Sequence, residues 1–286
     1  MAIRFSILVL SFMVIGGGLA ERFLEASSGL CENEGCECNP CQCNPCNCFS
    51  SPLPNYVYIG PEVYNACRKR EGGTRQDGCI AGVRIGYEHV KRYRLYWGIE
   101  GLYASGRLSG HGGNDTHLKS DLTDAMVEGR FGYTIASKCA YRPSFTPYVG
   151  GGYFSERNDY KHPSPIHVHL KTEYSYIAYG FLSHVFPIPW WELGLNVKCR
   201  APLNTQCKIS NDPEFDNFTL GVENMTQYRI ELPNTYHPCP GERKLTFSVT
   251  PFYEYRVYGR QNNFPFDFLK TEFNIWGANV LLLYFF

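Results

Sequence analysis

From Asn55 onward, apolar residues recur at every second position rather than at helical spacing. The clearest stretch is 245–257, where Leu245, Phe247, Val249, Pro251, Tyr253, Tyr255 and Val257 alternate with Thr246, Ser248, Thr250, Phe252, Glu254 and Arg256. The same pattern sets Trp191, Leu193, Leu195 and Val197 against Glu192, Gly194, Asn196, Lys198 and Arg200. It sets Leu220, Val222, Tyr228, Ile230 and Leu232 against Glu223, Gln227, Arg229 and Glu231. Ala81, Val83, Ile85 and Tyr87 oppose Arg84 and Glu88, and Val127, Phe131 and Tyr133 oppose Glu128 and Arg130. Period-two alternation predicts strands with one apolar and one polar face. Ten are expected, near residues 56–67, 78–89, 94–107, 121–134, 144–156, 172–185, 190–202, 220–232, 244–258 and 273–286; eight or twelve also fit the pattern.

Strands of soluble sandwiches are about 5–6 residues long, whereas strands crossing a bilayer at a tilt need roughly 9–11. These segments are of the longer kind. Their charged face carries Glu beside Arg, which suits a polar lumen, and the aromatic ends of the apolar face suit interfacial girdles. The expected fold is therefore all-β, a closed antiparallel transmembrane β-barrel over 55–286, with a soluble β-sandwich as the competing reading. An even strand count leaves both barrel ends on one side. The connections 68–77, 108–120, 157–171, 203–219 and 259–272 then form the outer loops, mostly long and rich in Gly, Asn, Asp and His, while 90–93 and 186–189 are short inner turns. Segments 135–143 and 233–243 are longer than inner turns usually are.

Composition agrees with strands: aromatics make up 15% and charged residues only 19%. The net charge is zero and no dense basic cluster is interleaved with aromatics, so nucleic acid is not an expected partner. Residues 1–20 read as a signal peptide: Arg4, an apolar run from Phe5 to Ile15, and small residues at Gly18 and Ala20. That run is too short for a helical anchor, which needs about 18 or more residues. Export places the chain's 13 Cys where disulfides form, and the odd number leaves at least one thiol unpaired or joined to another molecule.

At the other end, Trp276, Ala278, Val280, Leu282, Tyr284 and Phe286 share one face of the last strand. This ending resembles the C-terminal strand of bacterial outer-membrane proteins, which implies that Tyr284 and Phe286 are read by the barrel-assembly machinery. Phe145-Thr146-Pro147-Tyr148-Val149-Gly150-Gly151-Gly152-Tyr153, preceded by Arg130-Phe131-Gly132-Tyr133, resembles a strand of the small outer-membrane β-barrel superfamily of OmpA-, OmpW- and OmpX-like proteins. The resemblance implies fold, outer-membrane lipid as surroundings and outer-membrane location, and says little about activity. The glycines leave room for bulky neighbours; with no helix expected to follow, they are not a phosphate loop.

Residues 21–54 form a Cys-rich low-complexity segment and linker, expected in the periplasm. Cys31, Cys36, Cys38, Cys41, Cys43, Cys46 and Cys48 lie mostly in a Cys-x-Cys-Asn-Pro repeat, whose Pro and Asn exclude regular structure. Cysteines one residue apart are poorly placed to bridge each other, which favours bonds to distant or external thiols. The tract resembles the Pro-Cys-rich stretches of chlamydial-type outer-membrane proteins, which implies other Cys-rich envelope proteins as disulfide partners. The competing reading is soft-metal capture by thiolates. Further along, Cys67 with Cys79, and Cys199 with Cys207, are candidates for closing outer loops, and Cys139 and Cys239 fall in inner turns.

Inside the barrel the expected lumen charges are Glu88, Glu100, Glu128, Glu192, Glu223, Glu231 and Glu254 against Arg84, Arg130, Lys198, Arg200, Arg229 and Arg256. A ten-strand interior is little wider than its side chains, so balanced charges would fill it. A structural barrel tied to the envelope is expected ahead of a narrow channel for small solutes. His111, Asp115, His117, Asp159, His162, His167 and His169 fall in outer loops, in outline like an omptin-type rim protease, but no loop reproduces a catalytic motif. No enzyme activity and no cofactor are expected.

Overall fold

The computed structural model describes residues 55–112, 115–137, 143–165, 167–188, 190–212, 216–237, 244–262 and 267–286. The tract with Cys31 to Cys48, together with Cys139 and Cys239, lies outside the described residues. So do residues 1–20.

Twelve strand segments build the barrel: β1 Asn55–Arg70, β2 Thr74–His89, β3 Arg94–His111, β4 His117–Ala136, β5 Ser144–Lys161, β6 His169–Ile188, β7 Trp191–Ser210, β8 Phe218–Gly221, β9 Gln227–Glu231, β10 Asn234–Tyr236, β11 Leu245–Tyr258 and β12 Thr271–Phe285. Each long strand pairs antiparallel with its neighbours, and β12 closes onto β1 from Tyr56↔Phe285 to Arg70↔Thr271. The segments β8, β9 and β10 follow one another along β7 and together make a single stave, so the closed antiparallel barrel has the ten staves the alternation led us to expect. Closure leaves no free sheet edge in a bilayer, where an unpaired backbone group costs several kcal/mol.

Two expectations need correction. The eighth stave is not one strand over 220–232. It breaks across 222–226 and again at Pro233, which cannot donate to a ladder. Of its supposed single apolar face, Leu220 and Val222 point inward while Ile230 and Leu232 point outward, because the break resets the alternation. Four of the five outer loops are also shorter than expected, all but the one between Tyr258 and Thr271. Segment 68–77 contracts to a turn at 71–73, and 108–120 to 112–116, since the strands run on past the membrane.

The reason is an inversion of phase. In the lower part of β4, Val127, Phe131, Tyr133 and Ile135 face out and Glu128, Arg130 and Thr134 face in. In its upper part the polar Lys119, Asp121 and Thr123 face out, and Leu118, Leu122 and Met126 face in. The strand continues unbroken while its surroundings change from lipid outside to water outside. Above the change, the barrel is built like a soluble protein.

The lower exterior is a continuous apolar band that includes Val57, Ile59, Val63, Val83, Ile85, Ile99, Val149, Ile177, Val249, Val280 and Leu282, each 41–60% exposed. Aromatics border it: Trp97, Tyr133, Phe145, Phe247, Tyr284 and Phe286 on the side of the barrel ends, Tyr103, Tyr153 and Trp276 on the other. On β4 the band runs from Ala125 to Ile135, matching the roughly 9–11 residues a tilted strand needs to cross hydrocarbon. Soluble monomers rarely expose apolar patches beyond a few hundred Å²; a bilayer covers such a band.

Candidate functional site: the barrel lumen and outer rim

Alternation sends Glu62, Arg84, Glu100, Glu128, Arg130, Lys198, Arg200, Arg229, Glu231, Glu254 and Arg256 to the interior, and each is at most 7% exposed. Such burial means that almost no water-sized space touches these charges. Desolvating them is costly, and only dense pairing repays it. Arg84 reaches Glu62 at 2.6 Å and Glu100 at 2.9 Å, and Arg130 adds a 2.7 Å contact to Glu100. Lys198 lies 2.8 Å from both Glu100 and Glu128. Arg229 ties Glu62, Glu231 and Glu254 together at 3.2, 2.7 and 3.0 Å. Arg256 joins Asp124, Glu156 and Glu254 at 3.1, 2.8 and 3.1 Å, and Arg200 completes the web at 3.1 Å from Glu254.

Tyrosines cap the carboxylates. Tyr64 donates to Asp124 at 2.7 Å, Tyr176 to Glu128 at 2.8 Å, Tyr258 to Glu156 at 2.8 Å and Tyr58 to Glu100 at 3.2 Å. The Arg229 guanidinium lies 3.7 Å from the Phe252 ring centre and that of Arg256 4.3 Å from Phe154. Glycine makes one of these reaches possible: a Cβ on Gly152 would stand 2.5 Å from the end of the Tyr176 ring. Room for bulky neighbours is what this glycine run led us to expect.

Apolar clusters flank this charged layer above and below. Above it, in the outer half, Ile80, Leu108, Leu118, Leu122, Phe154, Leu170, Tyr174, Ile209, Leu220 and Phe273 form an apolar core. Below it, Tyr58, Leu283 and Phe285 form one cluster and Tyr96, Tyr148 and Leu182 another. Buried polar side chains share both flanking levels, Arg68, Gln76 and Asn158 above and Thr134, Thr146 and His237 below.

Of the expected lumen charges, all but Glu192 and Glu223 belong to the web: Glu100, Glu128, Glu231, Glu254, Arg84, Arg130, Lys198, Arg200, Arg229 and Arg256 lie within it, and Glu88 joins at its edge, 3.6 Å from Arg130. Glu192 stands apart at the lower end, held by His184 at 2.6 Å and His237 at 3.0 Å. Glu223 is not in the lumen; the break after β8 leaves it exposed at the outer rim beside Gly259. Glu62, Asp124 and Glu156 were missed as carboxylates of the web, although their even-numbered positions in alternating strands could have revealed them.

Among the described cysteines, Cys67, Cys79, Cys199 and Cys207 are free thiols. Cys67 and Cys79 do share the outer face of adjacent strands, but Cys79 pairs with Asn65 and Cys67 with Asp77, so they sit diagonally. Cys199 faces outward, half-buried, whereas Cys207 is fully buried inside. The irregularity between Glu173 and Ser175, opposite Gln206 and Leu203, shifts the phase of β7 between these two cysteines and sends them to opposite faces.

At the rim, His111 lies 3.8 Å from Asp115 and its ring 4.8 Å from that of His117. Separately, Asp159 accepts from His169 at 2.7 Å and from Arg157 at 2.9 Å on the outer wall. The two groups do not converge on one cavity. Among the described residues, no cluster of three or more His, Cys, Asp or Glu side chains is arranged to hold a metal ion.

No protein-family model and no curated protein matches the chain. Solved structures do. The outer-membrane protease OmpT from Escherichia coli aligns with a TM-score of 0.52 at 12% identity, over 83% of this chain and 99% of that one. The translocator domain of the autotransporter NalP from Neisseria meningitidis aligns at 0.45 and 10% identity, over 96% and 98%. The outer-membrane protein OprG from Pseudomonas aeruginosa aligns at 0.35 and 10% identity, over 82% and 96%. At such identities the likeness is one of fold, that of the outer-membrane β-barrel.

Proposed function

We propose that this chain is a structural outer-membrane barrel, inserted with its hairpin loops outward, whose Cys-rich N-terminal segment is tied by disulfides to other Cys-rich envelope proteins in the periplasm. The observation that carries the structural role is the interior: Glu62 and Glu128 are fully buried, Lys198 is 1% exposed, and packed side chains flank the web on both sides. A solute would have to displace a paired, desolvated network. The apolar band supplies the outer-membrane lipid contact, and the last strand, with Tyr284 and Phe286 facing outward, presents the feature expected to engage the assembly machinery.

The cross-linking half of the reading rests on the seven clustered cysteines, Cys31 to Cys48, whose one-residue spacings are poorly suited to bridging one another. Envelopes run on gels without reductant are expected to show the protein as high-mass species that collapse to monomer on reduction. A monomer without reductant would overturn cross-linking.

Planar-bilayer recording tests the filled lumen independently. The purified barrel is expected to carry no steady current, and reproducible unitary steps would instead establish the narrow channel. The reading assigns no catalytic role to the rim, because the His–Asp pairs there stand apart on the outside of the wall. Cleavage of a basic peptide by the folded barrel, lost in Asp159→Ala, would replace it with a protease.

A further inference from the structure

The inner mouth of the barrel, at the end where β1 begins, carries charge of one sign. Lys91, Arg92 and Arg94 lie at the turn between β2 and β3, and Lys244 lies just before β11. Strand pairing joins them into one arc: the Phe285 N–H donates to the Lys244 carbonyl, the Phe286 N–H to the Asn55 carbonyl, and Asn55 stands opposite His89. At about 4.8 Å per strand the arc is on the order of 20 Å long. The described carboxylate side chains at this end are Glu88 and Glu192, and both are occupied, Glu88 by Tyr56 and Arg130 and Glu192 by His184 and His237. The terminal carboxylate of Phe286 offsets one cation of the four. The inner connections outside the described residues add Lys138, Arg142 and Arg243 against Glu242, so counting them strengthens the sign.

Two of these cations face the mouth and not the surrounding lipid. Arg94 stands opposite Thr134, which is buried on the inward face. Lys244 is joined across the strand pair to Phe285, also buried inside. Both cations are nonetheless exposed, because they lie below the clusters of Tyr58 and Tyr96 that floor the mouth. Lipid around the wall meets the outward row of Leu95, Trp97, Leu245 and Phe247 instead.

The chain also holds a segment of opposite sign. Residues 21–48 carry Glu21, Glu25, Glu32, Glu34 and Glu37 against Arg22 alone, and 49–54 carry no charge. At about 3.5 Å per residue, residues 21–54 can span on the order of 100 Å, several times the length of the arc and enough to reach a neighbouring barrel in the same membrane. The proposed function ties this segment to other molecules, and a neighbour's mouth offers it a full set of cations. We propose that the inner mouth binds the acidic segment 21–48 of a second copy of the chain, with Lys91, Arg92, Arg94 and Lys244 pairing its glutamates. The contact is head to tail, each copy giving one segment and receiving another, and it brings Cys-rich tracts of neighbouring copies together without any covalent bond. The inference rests on the periplasmic placement of the segment in the proposed function and names one partner for it.

The test keeps all thiols reduced, so that only the non-covalent contact is read. Sedimentation of the detergent-solubilised full chain is expected to show reversible association that weakens at high salt. At about threefold per exposed ion pair, the mouth variant Lys91→Gln/Arg92→Gln/Arg94→Gln/Lys244→Gln should associate on the order of 100-fold more weakly. The segment variant Glu21→Gln/Glu25→Gln/Glu32→Gln/Glu34→Gln/Glu37→Gln should do likewise. Mixed together, the two variants should recover a one-to-one pair, since the segment of the first fits the mouth of the second. Both must keep the gel shift between unheated and heated samples that marks a folded barrel. A mixture that stays monomeric, which includes the case of a segment docked on its own barrel, overturns the proposal, as does a mouth variant that associates like the parent. Displacement of the segment by phosphatidylglycerol at equal concentration also overturns it and assigns the cations to inner-leaflet lipid. Because no disulfide forms under these conditions, failure here leaves the cross-linking result standing, and failure of cross-linking leaves this one.

Discussion

Replacing Arg256 by Met is expected to destabilise the folded barrel by about 3–5 kcal/mol, the range for removing one member of a buried ion network. Arg256 touches three carboxylates, and they do not lose equally. Glu254 keeps Arg200 and Arg229. Asp124 keeps only the Tyr64 hydroxyl, and one of its oxygens, Oδ1, already has no hydrogen-bond partner. Glu156 keeps only Tyr258. Two desolvated carboxylates thus lose the cation they pair with directly, while Met retains most of the packing on Phe154. Urea unfolding in detergent micelles, followed by Trp fluorescence and the gel shift, reads the change. Adding Asp124→Asn to Arg256→Met should recover part of the loss, since it removes one stranded charge. At the rim, the exposed Lys161–Asp121 pair provides the contrast: Lys161→Ala should cost no more than about 1 kcal/mol, as solvent screens the interaction. Equal effects at the two sites would mean that the interior is wet and the lumen not filled.

Most of the fold was legible because a bilayer imposes the simplest pattern a strand can carry, apolar outward and polar inward, over a fixed length. The outward faces show this most plainly: Leu245, Phe247 and Val249 in one strand and Trp276, Val280, Leu282, Tyr284 and Phe286 in the last lie exposed as expected. What escaped was set by surroundings that the pattern does not name. Where the barrel wall rises into water the same strands carry the opposite phase, so Leu108, Leu118 and Leu170 read as stray apolar residues in polar loops instead of an inward row. The outer core was hidden for that reason. Breaks at 222–226 and at the β6–β7 irregularity reset the parity, which moved Glu223 to the rim and separated Cys199 from Cys207. In the lumen, the charges were readable by position, but the tyrosines that cap them were not. Tyr58, Tyr64, Tyr176 and Tyr258 look like further members of an aromatic girdle until their inward parity is noticed.

Gly60→Val is expected to abolish assembly of the closed barrel. Gly60 lies in the seam where β1 meets β12, and a Cβ built on it would stand 1.9 Å from the Val280 carbonyl oxygen and 2.9 Å from the Leu281 Cα. Those atoms are backbone, so no rotamer change relieves the collision. The seam is already weak at this point, because neighbouring Pro61 has no N–H to donate; the register nevertheless holds across it, from Ile59↔Leu282 to Glu62↔Asn279. Pushing the strands apart here would expose unpaired backbone groups of both to hydrocarbon, at several kcal/mol each. Every other ladder in the barrel can form without this one, yet none can compensate, since an open sheet has two edges in lipid. Refolding into detergent should therefore give no gel-shifted species for Gly60→Val, with Gly60→Ala impaired in the same direction. Gly129→Val is the control, an added Val in the same band where a new Cβ meets nothing within 4 Å, and it should fold as the parent does. Normal assembly of Gly60→Val would show that the two strands close without the close approach glycine permits.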